Sequence, residues 1–282
     1  MGVQNNLVSS GAKQTFSTFL TQGAVKQKIN EVIGGKDGQR FMTQILSAVT
    51  NNPVLQECQQ ISVLNCAFLG ESLKLSPSPQ LGQYYMVPFK DKKNNRTVAT
   101  FQLGYKGYIQ LAVRSGYYKK LNVLAIKQGE LINYDPLNEE IEVNLIEDEE
   151  QRENAETIGY YAMFEYTNGF RKTLYWTKAK MEAHALKFSQ SYKTDKDKGT
   201  DWTFWSKDFD GMAFKTMLRQ LISKWGIMSI EMQTAIEKDM SATDDSGNPI
   251  YVDNQPEQQF IPAEIEQVDD TPEFMKEGND NA

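Results

Sequence analysis

Residues 101–116 read FQLGYKGYIQLAVRSG, an apolar stretch that also carries Lys106, between two glycines, and Arg114. The preceding residues alternate as in a strand, whereas the apolar spacing predicts a helix over about 108–115. Glycine turns and helix starts expose main-chain N–H groups, which favour phosphate oxygens, so this turn would present Lys106 to a phosphate. A Gly-x-x-Gly turn of this kind is also found in the loop of KH domains, which clamps backbone nucleotides. The same spacing is common where a strand simply enters a helix, and the stretch alone leaves both interpretations open.

Strand-like patterns dominate the middle of the chain around this stretch. Strand-like segments on either side of turn-forming residues predict two β-hairpins, the second with an Asn168-Gly169 turn, and the alternation of polar and apolar residues in EEIEVNLIE predicts a further, half-buried strand. Pro88 lies inside the first hairpin and should occupy an edge strand or a bulge, because proline cannot donate to a ladder. The predicted hairpins cover residues 84–103 and 157–176, and a further strand covers 139–147.

Helical patterns occupy both ends of the chain, and a polar, charged segment at 189–200 is predicted to be a loop. The order of elements predicts an α+β protein, with N-terminal helices followed by a small antiparallel sheet backed by helices. We expect one domain over 1–240 and a flexible acidic tail over 241–282. The predicted helices cover residues 14–33, 38–49, 54–70, 177–188, 203–226 and 229–238.

The net charge of −7 conceals an uneven distribution of charge along the chain. Residues 241–282 contain eleven acidic residues and one basic residue, and residues 139–156 contain nine acidic residues and one basic residue. The remainder has 28 basic residues against 17 acidic ones. This segregation is typical of a polyanion-binding domain that carries its own acidic segments, although a mixed solvated surface gives a milder form of the same bias.

Several function classes lose support from the composition. The chain has one histidine, His184, and neither a Cys-x-x-Cys motif nor a phosphate-binding P-loop, so an ATP-driven motor is not expected. Cys58 and Cys66 are predicted to be buried reduced thiols. No apolar run approaches the roughly 20 residues of a membrane span, and the N-terminal residues lack a secretory pattern, so we expect a cytoplasmic protein that does not contact membranes.

Cations recur at helical spacing in the C-terminal half. Lys215 and Arg219 lie four residues apart and share a helix face, with the small Gly211 one turn earlier. This arrangement suits phosphate contact, but a solvated basic face would look the same. Aromatic residues interleave with the cations, and one or two of them are expected to stack on bases. The aromatic candidates are Tyr105, Tyr108, Tyr117, Tyr118, Trp202, Phe204, Trp205 and Phe209.

A metal-dependent nuclease is the alternative from another functional class. Such a site needs converging carboxylates. Asp208 and Asp210 are two residues apart and diverge on a helix. Other acidic residues lie in the predicted loop region, at Asp195, Asp197 and Asp201.

Two segments together resemble a known family. FQLGYKGYIQLAVRSGYYKKLNVLAIKQGE (101–130) and DFDGMAFKTMLRQLISKWG (208–226) are similar to the two signature regions of the RecT family of phage recombinases. The resemblance extends over roughly residues 10–240. It implies a non-enzymatic, ATP-independent single-strand annealing protein without a cofactor or metal, which assembles into rings or helical filaments.

The resemblance also implies partners and a site. The expected partners are single-stranded DNA, the annealed duplex intermediate, an exonuclease and a host single-strand-binding protein in the bacterial cytoplasm. The family's basic groove is expected to face the DNA. By motif position, the implied DNA contacts are Lys106, Gln110, Arg114, Lys119, Lys207, Lys215 and Arg219.

Overall fold

The structure, a computed structural model, describes residues 15–91, 94–243 and 249–251 and has the predicted α+β class. Its N-terminal part is helical. The predicted helix over 14–33 is interrupted at Thr21 and Gln22. The predicted helix over 54–70 is interrupted at Cys58 and Gln59. There Gln59 N donates a hydrogen bond to Thr97 O at 2.8 Å. These elements are α1 (Phe16–Leu20), α2 (Gly23–Val32), α3 (Gly35–Asn51), a 3₁₀ helix (Pro53–Glu57) and α4 (Gln60–Ser72).

The first predicted hairpin is confirmed as β1 (Tyr84–Asp91) and β2 (Arg96–Leu103), paired antiparallel from Tyr84↔Leu103 to Asp91↔Arg96. The hairpin-tip residues Lys92 and Lys93 lie outside the described residues. Pro88 lies in β1, which pairs with β2 alone in its sheet and is therefore an edge strand, as predicted.

The last two strands of this sheet lie beyond position 240, where the sequence predicts the start of the tail. They are β8 (Ser241–Thr243), which pairs with β2, and β9 (Pro249–Tyr251). Residues 252–282 of the predicted tail lie outside the described residues.

The second sheet has the order β3-β6-β7 and contains the second predicted hairpin. Its turn includes Gly169, whose φ of +87° explains why Asn-Gly suits this position. The helix α5 between the two sheets begins at Tyr105, three residues before the predicted start. The elements are α5 (Tyr105–Ser115), β3 (Tyr118–Lys127), β4 (Leu131–Asp135), β5 (Glu140–Val143), α6 (Glu149–Asn154), β6 (Thr157–Tyr166) and β7 (Arg171–Thr177).

Two predictions for the C-terminal helices are wrong. The segment predicted to be a loop contains a helix, because Ser189 caps it by accepting from Tyr192 N and because Tyr192 is buried. The predicted long helix breaks at Asp208, which caps a new helix. The elements are α7 (Lys178–Phe188), α8 (Gln190–Lys198), α9 (Phe204–Lys207), α10 (Phe209–Trp225) and α11 (Ile230–Lys238).

Helix α10 joins two apolar clusters. Leu218 and Ile222 pack with the N-terminal helices and the first sheet, whereas Met217 and Leu221 pack with the second sheet and α7. Cys58 and Cys66 are buried thiols, as predicted. In the described part of the chain, no helix is both long and apolar enough to cross a bilayer.

Candidate nucleic-acid interface

The two glycines that flank Lys106 permit a close backbone approach. Gly104 N donates to Gln83 O at 2.8 Å, and a Cβ at Gly104 would lie 2.1 Å from Gly82 O. A Cβ at Gly107 would lie 2.2 Å from Gln83 O. Only glycine fits such distances, so the Gly-x-x-Gly spacing fixes how α5 packs on residues 82–83. Lys106 is thereby held, exposed, in the first turn of α5.

An exposed polar stripe begins at Lys106. Gln110 lies one turn further along α5 and is also exposed. Lys119 follows in β3, where its side chain is 56% exposed and its Nζ lies 2.6 Å from Glu165 Oε1. Because this side chain is largely exposed, a phosphate can compete with Glu165 for the Lys119 ammonium.

Lys207 reaches the same region from α9. Its side chain is exposed, three residues after Phe204. The Phe204 ring lies 5.6 Å from the Tyr85 ring. Tyr85 and Lys106 both pack over Gly82, where an added Cβ would lie 3.0 Å from the Tyr85 hydroxyl and 3.4 Å from Lys106 Cδ. This chain of contacts brings the start of α5 next to α9.

Arg114, a predicted DNA contact, is hydrogen-bonded within the chain. Its guanidinium donates to Leu73 O at 2.6 Å and to Lys74 O at 3.1 Å. These carbonyls lie at the C-terminal end of α4, where helix carbonyls have no intrahelical donor and cations are favourable. Arg114 therefore joins α5 to α4.

Lys215 and Arg219 also differ from their predicted role, because both side chains point to an internal carboxylate. Lys215 Nζ lies 2.8 Å from Asp239 Oδ1, and Arg219 Nη1 lies 3.0 Å from Asp239 Oδ2. The Asp239 carboxylate is fully buried, and the Lys215 side chain is only 7% exposed. Burial lowers the pKa of Lys215, against the opposing effect of Asp239. In this arrangement Lys215 has no path to a DNA phosphate.

The Asp239 carboxylate links three elements. Besides the cations of α10, its Oδ1 accepts a hydrogen bond from Leu103 N of β2 at 2.9 Å, and Asp239 itself directly follows α11. The buried hydroxyl of Tyr108 lies beside this cluster, and burial raises the pKa of that hydroxyl. The sequence contained one signal for this arrangement: the two cations lie among apolar residues of α10, which indicates that an anion is needed beside them without saying which one.

The predicted aromatic candidates divide by exposure. Tyr108 and Trp205 are buried, and the Tyr105 ring packs edge-on against Phe214 at 5.6 Å. Trp202 is 79% exposed and Phe204 is 39% exposed. Tyr117, just after α5, is also exposed, at 48%. The buried residues cannot stack on a base, so Trp202 and Phe204 near α9 and Tyr117 after α5 are the exposed candidates.

Two of the acidic candidates for a nuclease site, Asp208 and Asp210, have structural partners on different elements. Asp208 Oδ1 accepts from Gly211 N at 2.9 Å, and Asp210 Oδ1 accepts from the Tyr160 hydroxyl at 2.6 Å. Among the described residues, no group of three or more His, Cys, Asp or Glu side chains is placed to hold a metal ion. His184 packs between Trp176 and Phe188, with ring centroids 5.2 and 4.5 Å away.

Asp195 anchors the segment before α9. Its buried carboxylate accepts from the Thr200 and Ser206 hydroxyls at 2.7 and 2.8 Å and from Thr203 N at 2.8 Å. Burial acts to raise the pKa of Asp195, but these hydrogen bonds outweigh burial and hold the pKa well below its ordinary value. The ionised carboxylate therefore fixes the backbone on both sides of Trp202.

Comparisons with known proteins agree with the two motifs. The chain is 40% identical over 259 residues to Uncharacterized protein YqaK of Bacillus subtilis (strain 168), covering 90% of this chain and 84% of that one. It is 25% identical over 226 residues to Protein RecT of Escherichia coli (strain K12), covering 79% of each chain. The model of the RecT family matches residues 39–251, which is most of the sequence and includes both motifs. This chain belongs to the RecT family.

Proposed function

We propose that this chain binds and anneals single-stranded DNA in phage homologous recombination and needs no nucleotide cofactor. Membership of the RecT family over residues 39–251 is the observation that supports this function most strongly. The exposed polar residues of α5, β3 and α9 supply a surface suited to a DNA backbone. The proposed contacts are Lys106, Gln110, Lys119 and Lys207.

The energetics of pairing explain why no ATP is required. Each base-pair step formed releases about 1.4 kcal/mol from stacking, so annealing is favourable once the strands meet in register. Phosphate repulsion and pairing within each strand oppose it. Exposed cations reduce the repulsion, and contacts to the backbone hold a strand extended whatever its sequence.

Oligomerisation would make weak contacts sufficient. A ring or helical filament aligns many copies of the same surface along one strand. Once one copy has bound, the strand is held at a high effective concentration near the neighbouring copies, and this strengthens the binding of the whole assembly. We propose that this assembly works in the cytoplasm of a bacterial host, on single strands that an exonuclease exposes and that a host single-strand-binding protein also covers.

The test combines annealing with strand integrity. The purified full chain is mixed with two complementary labelled strands, without nucleotide and with or without Mg²⁺. We expect duplex to form faster than in the protein-free reaction, while both strands keep their length and non-complementary strands stay single. Mg²⁺-dependent shortening would instead identify a nuclease, and binding without faster pairing would identify a passive coating protein.

A further inference from the structure

An open groove of about 230 Å³ lies between the first hairpin and the segment that joins α8 to α10. One wall belongs to β1 and β2, and the other to the residues around α9. The residues that matter for its chemistry are Pro88, Phe89, Gln102, Trp202, Phe204 and Met212.

The exposed wall of this groove is aromatic and held in place. The Trp202 side chain projects into solvent with 79% of the residue exposed. The chain on both sides of Trp202 is tied to the buried Asp195 carboxylate, through the Thr200 hydroxyl two residues before it and through Thr203 N directly after it. Because this segment is already ordered, a ligand that stacks on Trp202 does not have to order the backbone as well.

The groove also offers a polar group on its β2 wall. Gln102 lines the groove and is 8% exposed, and its amide carries both donors and acceptors. The combination of flat aromatic faces with an amide that can pair with either kind of group suits a nucleobase, which has a π-face and a hydrogen-bonding edge.

Two exposed cations, Lys106 and Lys207, lie near residues that line or border the groove. Lys207 lies three residues after Phe204 in α9 and is exposed. On the other side, the Tyr85 ring packs on Phe204 and shares the space over Gly82 with Lys106. A ligand with an aromatic base and negative charges on both sides therefore matches this surface better than an apolar peptide does.

We propose that this groove binds one unpaired nucleobase of the single strand, stacked on Trp202 and Phe204, while Lys106 and Lys207 contact the adjacent phosphates. This inference rests on the proposed function and adds a base contact to it. One base in each subunit is anchored, and the bases between anchored positions keep their pairing edges free.

The test compares two strands of equal length, an oligo-dT and a base-free strand of the same backbone. Trp202→Ala should weaken oligo-dT binding by about 5- to 100-fold, as for loss of one stacked base. Trp202→Phe should retain most of the affinity. The base-free strand should bind wild type and Trp202→Ala equally, since its phosphate contacts are unchanged.

The matched control is Trp225→Ala, which removes another exposed tryptophan, at the end of α10 and outside this groove. If Trp202→Ala does not fold, tryptophan fluorescence provides a second test with Trp202→Phe. At saturation, oligo-dT should quench the tryptophan fluorescence of the wild type more than that of Trp202→Phe. Oligo-dT affinity within twofold of wild type for Trp202→Ala, or equal quenching of the two proteins, would overturn the inference. If the wild type annealed DNA in that case, only the groove assignment would fail. A wild type that bound neither strand would overturn the proposed function as well.

Discussion

Asp239→Asn should lower the free energy of unfolding by about 3–5 kcal/mol, because it leaves the buried Lys215 and the half-buried Arg219 without their counter-charge. Asp239 accepts from Lys215 at 2.8 Å, from Arg219 at 3.0 Å and from Leu103 N at 2.9 Å. The amide nitrogen of asparagine would face at least one of these donors. Urea unfolding of the two proteins, followed by circular dichroism, measures the difference.

The control for this change is Asp37→Asn. Asp37 also pairs with an arginine, at 3.4 Å from Arg40, but both side chains are more than 60% exposed. Exposed pairs contribute roughly 0–1 kcal/mol, so the control should stay close to wild type. Equal stability of Asp239→Asn and Asp37→Asn would contradict the role assigned to the buried cluster.

Gly107→Ala should have the second large effect, a loss of stability of about 1–3 kcal/mol or more. The added Cβ would lie 2.2 Å from Gln83 O and 2.7 Å from a methyl group of Leu103. Gln83 O is a main-chain atom that cannot rotate out of the way as a side chain can. Helix α5 must therefore shift away from residues 82–83. Because α5 carries Lys106, binding of single-stranded DNA should weaken together with the thermal midpoint.

Gly23→Ala is the matched control for this second prediction. Gly23 begins α2, has an ordinary backbone conformation and has no atom within 4 Å of an added Cβ. Alanine is favoured over glycine in a helix, so this variant should be as stable as wild type or slightly more stable. A Gly107→Ala protein with an unchanged thermal midpoint would show that the close approach to Gln83 is not required.

The hairpins were predictable because their information is local. β6 and β7 are rich in aromatic and apolar residues that favour strands, and Asn168-Gly169 suits the left-handed turn that joins them. The helix α8 was missed for the opposite reason. Its sequence is polar, and the residues that hold it, Ser189 and Tyr192, show their effect only through a cap and through packing on Trp205.

The candidate site shows the same limit. Spacing alone identified Lys215 and Arg219 as a pair of cations on one helix face, and it left open what they bind. The structure supplies Asp239 as their partner, some twenty residues later in the chain. A pattern of charges predicts where an anion is needed, whereas tertiary packing decides whether that anion is a phosphate or a carboxylate of the same chain.

The most direct test of the proposed interface is the salt dependence of oligo-dT affinity for Lys106→Ala Lys207→Ala. Each lost phosphate contact reduces the slope of log K against log salt concentration by about 0.7 for a single strand, so the double variant should lose about 1.4. Lys26→Ala Lys28→Ala, two exposed cations of α2, should keep the wild-type slope. An unchanged slope for a correctly folded Lys106→Ala Lys207→Ala protein would contradict the proposed DNA contacts.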